Sequence, residues 1–281
     1  MLHQKLLLPG ARMTTFTQPD AGWVQPPLEG PAGVLATDVI QVVKHAAANA
    51  PRSLQAAPGP SELGTPCTRR LVYKTLDWDP KPNSDTDPWA AVIGTSVHAW
   101  MAGTFTAENQ RHGYARYLIE HQVTLPYGIT GSCDLYDRHT GTVIDWKVTG
   151  LTRLRDYRRD GPGAQYRTQA NLYALGLQLT GETPLHTAIV FLPRGGRIDG
   201  LHVWCEPYDP AVAAAALRRY LAARDFALCL DPEQAPANWG LLPTADAYCA
   251  YCPWFLPGSA DLSQGCPGHS APGTATATAK E

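Results

Sequence analysis

The sequence predicts an α/β domain with a central mixed sheet flanked by helices, and three observations predict it. Runs rich in β-branched residues recur between residues 117 and 205, several of them with the period-two alternation of half-buried strands. Segments with helical spacing of apolar residues lie before, between and after these runs, the order that layers helices on a sheet. With 281 residues, 44% of them hydrophobic and 17% charged, the chain can also bury a core of that size.

In chain order, helical spacing covers Thr37 to Asn49 and, more briefly, Cys67 to Leu76. A Pro- and Asp-rich loop then runs through Trp89, and a helix is expected from Thr95. Strands are expected near Tyr117 to Pro126, Gly128 to Tyr136 and Thr142 to Val148, with Arg138-His-Thr-Gly141 as the turn between the last two. A helix from Gly163 to Leu179 and strands at Leu185 to Leu192 and Ile198 to Cys205 follow. Last comes an Ala-rich helix from Pro210 to about Leu230, a composition that favours helix strongly. Residues 1–31, rich in Pro, Gly, Gln and Thr, and the Ala/Thr/Gly tail 270–281 are expected to lack fixed structure. That leaves 32–269 as one domain, without internal repeats.

The third predicted strand carries Val143-Ile-Asp-Trp-Lys147, and Asp134 of Gly131-Ser-Cys-Asp134 precedes it by one hairpin's length. Side chains alternate along a strand, so Asp145 and Lys147 share one face while Ile144, Trp146 and Val148 share the other. Two carboxylates converging on one spot make a hard oxygen site for Mg²⁺ or Mn²⁺, and a lysine beside them can hold or help deprotonate a water. That chemistry suits phosphodiester cleavage. An acid-x-lysine triplet is common by itself. A second copy, Asp79-Pro-Lys81, lies among Pro80, Pro82 and Asn83 and reads as a loop with no strand to present it.

Upstream, Gly94-Thr-Ser-Val-His98-Ala-Trp-Met reads as a helix start with Val97, Trp100 and Met101 on its apolar side, and His98 is a candidate ligand or a packed histidine. Downstream, Gln169 and Tyr173 stand four apart and share a helix face. Taken in order, His98, Asp134, Asp145-x-Lys147 and Gln169-x-x-x-Tyr173 resemble the motif string of the RecB-like branch of the PD-(D/E)XK nuclease superfamily. The resemblance implies a restriction-endonuclease-like core. It also implies that His98, Asp134, Asp145 and the Trp146 carbonyl hold Mg²⁺ or Mn²⁺, that Lys147 serves the attacking water, and that Gln169 and Tyr173 steady the lysine or the DNA backbone. Glu120 resembles an acid often found in such enzymes.

Seven cysteines, with no segment shaped like a membrane span or a cleavable signal peptide, suggest a cytoplasmic, reducing setting and metal ligation rather than disulfides. Cys249, Cys252, Cys266 and His269 sit in a Pro/Gly-rich segment as C-x₂-C and C-x₂-H pairs that could close a tetrahedral Zn²⁺ site. Cys67 lies far upstream. RecB-like nucleases with iron and sulfur carry one cysteine before the core and three after it, so the resemblance implies a 4Fe-4S cluster on Cys67, Cys249, Cys252 and Cys266. It is similar in this to the fourth CRISPR-associated (Cas) exonuclease family, the AddB nuclease domain and phage-encoded relatives, although the gap from Cys252 to Cys266 is longer than in that group. Cys133, Cys205 and Cys229 stand singly in strand or helix patterns and read as buried small hydrophobes.

The net charge of -2 supplies no general attraction to nucleic acid. Arg153, Arg155, Arg158 and Arg159, in the expected loop after the Asp145 strand, and Arg167 beyond it could grip phosphates, or could form an ordinary solvated surface. Tyr157 and Tyr166 there could stack on unpaired bases. The function expected is a metal-dependent DNA nuclease, an exonuclease of phage or bacterial DNA processing, recombination or CRISPR-type spacer acquisition. Its partners would be DNA and a helicase, recombinase or CRISPR adaptation proteins. No Walker A pattern supplies a motor within the chain. The alternative is a DNA-binding or assembly factor of the same fold that does not cleave, and a third reading is a zinc-finger protein with incidental acidic strands.

Overall fold

The computed structural model describes residues 30–50, 55–84, 87–232 and 234–269. The chain divides into residues 1–42 with 270–281, and residues 43–269. The expectation that residues 1–31 and 270–281 lack structure falls outside the described residues, except that Gly30 and Pro31 open α1 (Gly30–Ala48). This helix starts earlier than Thr37 because Pro31 occupies its first turn, where a missing N–H costs nothing.

In the second unit, α2 (Pro60–Leu63) is a single turn and α3 (Thr68–Thr75) is capped by Cys67, whose Sγ accepts the Arg70 N–H. The helix α4 (Trp89–His112) begins at Trp89 and not at Thr95. Gly94 does not break it, since an exposed glycine inside a helix costs only about 1 kcal/mol. Next come β1 (Tyr117–Thr124), β2 (Thr130–Asp137) and β3 (Thr142–Thr149). The segment read as an arginine loop is a helix, α5 (Leu151–Asp160). Six of its ten residues are charged, which reads as a solvated loop, yet Leu154 and Tyr157, three apart, pack against Ile189 and Phe191 and anchor it. Gly161 ends it at φ +77, a conformation that suits glycine. Then follow α6 (Gly163–Leu179), β4 (His186–Pro193), β5 (His202–Pro207) and α7 (Pro210–Leu230). The last strand starts at His202 because residues Ile198–Gly200 form a 3-10 turn.

The sheet is mixed, in the order β1-β2-β3-β4-β5, with only β3 and β4 parallel. The crossover between those two strands is α5 and α6, as a parallel pair requires. One face packs Ile144, Trp146, Val148, Val190 and Leu192 against Val97, Met101 and Phe105 of α4. The opposite face packs Cys133, Val143 and Tyr136 against Tyr173, Ala174 and Leu177 of α6. The largest cluster lies beyond α6, among α2, α3, α7 and the C-terminal segment, where Tyr73 stacks on Trp239 at 4.0 Å and on Trp254 at 5.4 Å. Among the described residues no helix is long and apolar enough to cross a membrane.

Candidate active site

The site lies where β2 and β3 part. Their pairing runs from Asp137–Thr142 to Leu135–Ile144 and stops there, one residue short of Asp134 and Asp145. The Asp134 carboxylate fills the gap, its Oδ2 accepting the Trp146 N–H at 2.8 Å. That backbone group is buried and would otherwise lack an acceptor. Opposite, β1 is distorted at the same level: Glu120 has φ +45, and its pairing to β2 is interrupted between Ile119–Leu135 and His121–Cys133. Strained backbone of this kind collects at functional sites.

Beyond the fork β3 stays straight because β4 supports it through Thr149. Asp145 and Lys147 both face α6, as the strand period predicts. Asp145 is 1% exposed, with Lys147 Nζ at 2.5 Å from its Oδ2 and the Gln169 amide donating to its Oδ1 at 2.9 Å. The lysine approaches outside hydrogen-bonding directions, so Oδ2 is charge-paired yet buried without a hydrogen bond. Burial pushes the Asp145 carboxyl up to about 6; Lys147 opposes that shift and the Asp134 charge adds to it. Gln169 also donates to the Tyr173 hydroxyl at 3.3 Å, and both side chains are buried. Gln169 therefore reaches the carboxylate and not the lysine. Gly131 leaves room for the Pro60 ring and for Tyr173, since a Cβ there would stand 2.7 Å from Pro60 Cδ and 3.2 Å from Tyr173 Cε1. Lys147 Nζ lies 4.9 Å over the Tyr166 ring.

From the other face α4 brings His98, whose Nδ1 is 3.4 Å from Asp134 Oδ1 and whose Nε2 is 3.1 Å from the Trp146 carbonyl. Its hydrogen bond to Asp134 raises the His98 pKa, against an opposing effect of burial. Glu120 accepts from Ser132 Oγ at 2.7 Å. His98, Glu120 and Asp134 each offer a ligand atom, all within 4.8 Å of one another. Nitrogen and carboxylate donors, with the Asp145 Oδ2 nearby paired to Lys147 but holding no hydrogen bond, are a donor set that suits a divalent cation.

A family model described as the PD-(D/E)XK nuclease superfamily matches residues 68–255, more than half of the chain. The chain belongs to that superfamily. Divalent metals serve PD-(D/E)XK nucleases. No curated protein matches the sequence. Among solved structures, the chain is similar to a phage-related exonuclease from Haemophilus somnus 129PT, at 13% identity over 66% of this chain and 99% of that one, with a TM-score of 0.44. It is also similar to the alkaline exonuclease LHK-Exo from Laribacter hongkongensis, at 16% identity over 64% of this chain and 96% of that one, with a TM-score of 0.35. The same enzyme in complex with dAMP gives 15% identity and a TM-score of 0.34, over 63% and 96%.

In this PD-(D/E)XK protein most of the arginines expected to grip phosphates are engaged within the chain. Arg153 lies 4.5 Å over the Tyr248 ring, Arg158 donates to the Gly200 carbonyl at 2.6 Å, and Arg159 pairs with Asp156 and Asp160. Arg167 pairs with Glu206 at 2.6 Å. Arg155 is exposed and, alone of the five, has no side-chain partner among the described residues. Tyr157 stacks on Phe191 at 4.1 Å and is committed to packing. The partners of Arg153, Arg158 and Arg167 lie far along the chain, so the sequence held no signal for them, whereas Asp156 and Asp160 beside Arg159 were legible as local pairs.

Cys67, Cys249, Cys252 and Cys266 line one pocket beneath α3, together with Arg70, Tyr73 and His269. None is in a disulfide. Burial raises the Cys252 thiol pKa. Among the described residues no three of these cysteine sulfurs lie mutually within 4.8 Å, unlike the ligand atoms of His98, Glu120 and Asp134. His269 Nδ1 is 3.1 Å from Thr244 Oγ1. Cys133 is fully buried in the sheet core, whereas Cys205 and Cys229 are exposed, contrary to the reading of both as buried hydrophobes. Cys205 sits on the edge strand β5, whose residues alternate between exposed and half-buried.

Proposed function

We propose that the chain is a Mg²⁺- or Mn²⁺-dependent deoxyribonuclease, acting as an exonuclease of the RecB-like branch. The observation that carries this reading is the convergence at the β2–β3 fork of His98, Asp134, Asp145 and Lys147, brought from a helix and two strands. His98, Asp134, Asp145 and the Trp146 carbonyl would hold the ion, with Glu120 as a further acid at its edge. When bound, the ion supplies positive charge that polarises the scissile phosphate and lowers the pKa of a water. Lys147 orients that water and offsets negative charge developing on the phosphate. Gln169 fixes the plane of the Asp145 carboxylate, and Tyr173 fixes Gln169. Arg155 is the free cation placed to meet the DNA backbone.

A protein that only bound DNA would have no use for a lysine against a buried carboxylate, which favours cleavage over the assembly-factor reading. The test is degradation of end-labelled DNA with Mg²⁺, Mn²⁺ or EDTA, by wild type and Lys147→Ala. Loss of cleavage with retained DNA binding is expected for the variant. Equal cleavage by both would remove the proposal.

The cysteine pocket is proposed to hold a 4Fe-4S cluster on Cys67, Cys249, Cys252 and Cys266, joining the start of the domain to its end. Four thiols facing one space from distant chain positions support it. Cys67 lines this space with the other three, whereas a zinc ion closed by Cys249, Cys252, Cys266 and His269 would leave it without a partner metal. Visible absorption and iron content of protein purified without oxygen decide between the two. Colourless protein containing zinc would overturn the cluster.

A further inference from the structure

We infer that Arg69 is the fixed counter-charge of the cysteine quartet and sets the reduction potential of the group it holds. This rests on the iron–sulfur reading above. Arg69 follows Cys67 by two residues, and its side chain runs inward from α3 to 8% exposure. Nη1 donates to Cys266 Sγ at 3.4 Å and Nη2 to the Leu242 carbonyl at 3.3 Å, while Nε is buried with no acceptor. No carboxylate pairs with it among the described residues. Arg116 and Arg167 differ in this respect, since each meets an acid, Asp137 or Glu206.

A guanidinium stays charged in any protein, and a buried charge without an opposite one is costly. Around Arg69 the groups that could answer it are sulfurs. Tyr73, which lines the same pocket, donates its hydroxyl proton to the Leu262 carbonyl at 2.6 Å and stays neutral. The uncompensated cation is therefore matched to an anionic assembly on the cysteines. A cluster ligated by four thiolates carries net negative charge, and each added electron makes it more negative. A fixed cation that also donates to one of its sulfurs stabilises the reduced form more than the oxidised one, which raises the midpoint potential.

The test uses the full chain purified without oxygen, as wild type, Arg69→Gln and Arg69→Lys. Iron and sulfide per chain are measured, then the midpoint by titration with dithionite followed by electron paramagnetic resonance. The expected result is a midpoint shifted to more negative potential in Arg69→Gln and a smaller shift in the same direction in Arg69→Lys, which keeps the charge but not the two-armed geometry. A purely packing role would change cluster content without moving the midpoint of the clusters that remain. If Arg69→Gln does not fold, Arg69→Lys carries the test. A coloured wild type whose variants show an unmoved midpoint overturns this inference and leaves the cluster standing, whereas a wild type without iron overturns both.

Discussion

At the β2–β3 fork the converging side chains ride on a long helix and two sheet strands, with β4 bracing β3 and the Asp134 carboxylate standing in for a missing ladder bond. At the cysteine pocket only Cys67 belongs to an α-helix start; Cys249 and Cys252 lie on a single 3-10 turn closed by the Cys252 N–H to Cys249 O bond, and Cys266 pairs with Phe255 in an isolated bridge. The first site is positioned by the fold whether or not a ligand is bound. The second brings together chain segments that depend on the aromatic stack of Tyr73, Trp239 and Trp254 and, under the proposed reading, on a cluster joining the sulfurs. Loss of a ligand should therefore cost function at the fork and structure at the pocket.

The largest effect expected is at the fork. Asp145→Ala should lower DNA cleavage by about three orders of magnitude or more, with a folded circular dichroism spectrum retained. Undiminished cleavage would sink the site, and an unfolded variant would break the contrast with the pocket. Next comes Cys67→Ser, expected to bleach the protein, cost about 3 kcal/mol or more of stability in urea, and expose both the α2–α3 region and residues 236–269 to protease. His269→Ala should do little. Metal release by His269→Ala with a mild Cys67→Ser would instead identify zinc held locally.

A smaller effect separates the two sites by pH. Burial raises Asp145 from its usual 3.8 to about 6 in the metal-free fold, so ionising it opposes folding. The stability this group contributes is present below about 4, its unfolded value, and is lost as pH rises through 6. Asp145→Asn should thus melt higher than metal-free wild type at pH 7.5, with the gap closing toward pH 4. Equal melting temperatures at both pH values would argue against the burial effect. The smallest change is expected from Arg155→Ala: DNA affinity falling a few-fold and the salt slope by about 1. Arg159→Ala, already paired to Asp156 and Asp160, should change it less; the reverse order would show that those ion pairs open on DNA.

The shared face of Asp145 and Lys147 and the i, i+4 pair Gln169–Tyr173 were legible because both follow from the period of one element. His98 was legible as a candidate, but not its approach to the Trp146 carbonyl, which depends on how α4 crosses the sheet. α5 was missed because its charges hide the single buried anchor, Leu154. Glu120 could be noticed as an acid, whereas its left-handed backbone and its place beside His98 depend on the interrupted β1–β2 pairing. The internal partners of Arg158 and Arg167, at Gly200 and Glu206, are set by tertiary packing alone.

The carboxylate of Asp134 has two separate jobs for its two oxygens: Oδ2 keeps the strands apart by holding the Trp146 amide, and Oδ1 faces His98. An asparagine can keep the first oxygen and present an amide nitrogen where the second was. Asp134→Asn would then leave the hairpin open and the ion poorly held, whereas Asp134→Ala would release the buried amide as well, at about 1–3 kcal/mol. Under the proposed function, exchange of one oxygen for nitrogen would turn a cutting module into a gripping one on an unchanged scaffold, a single codon change away.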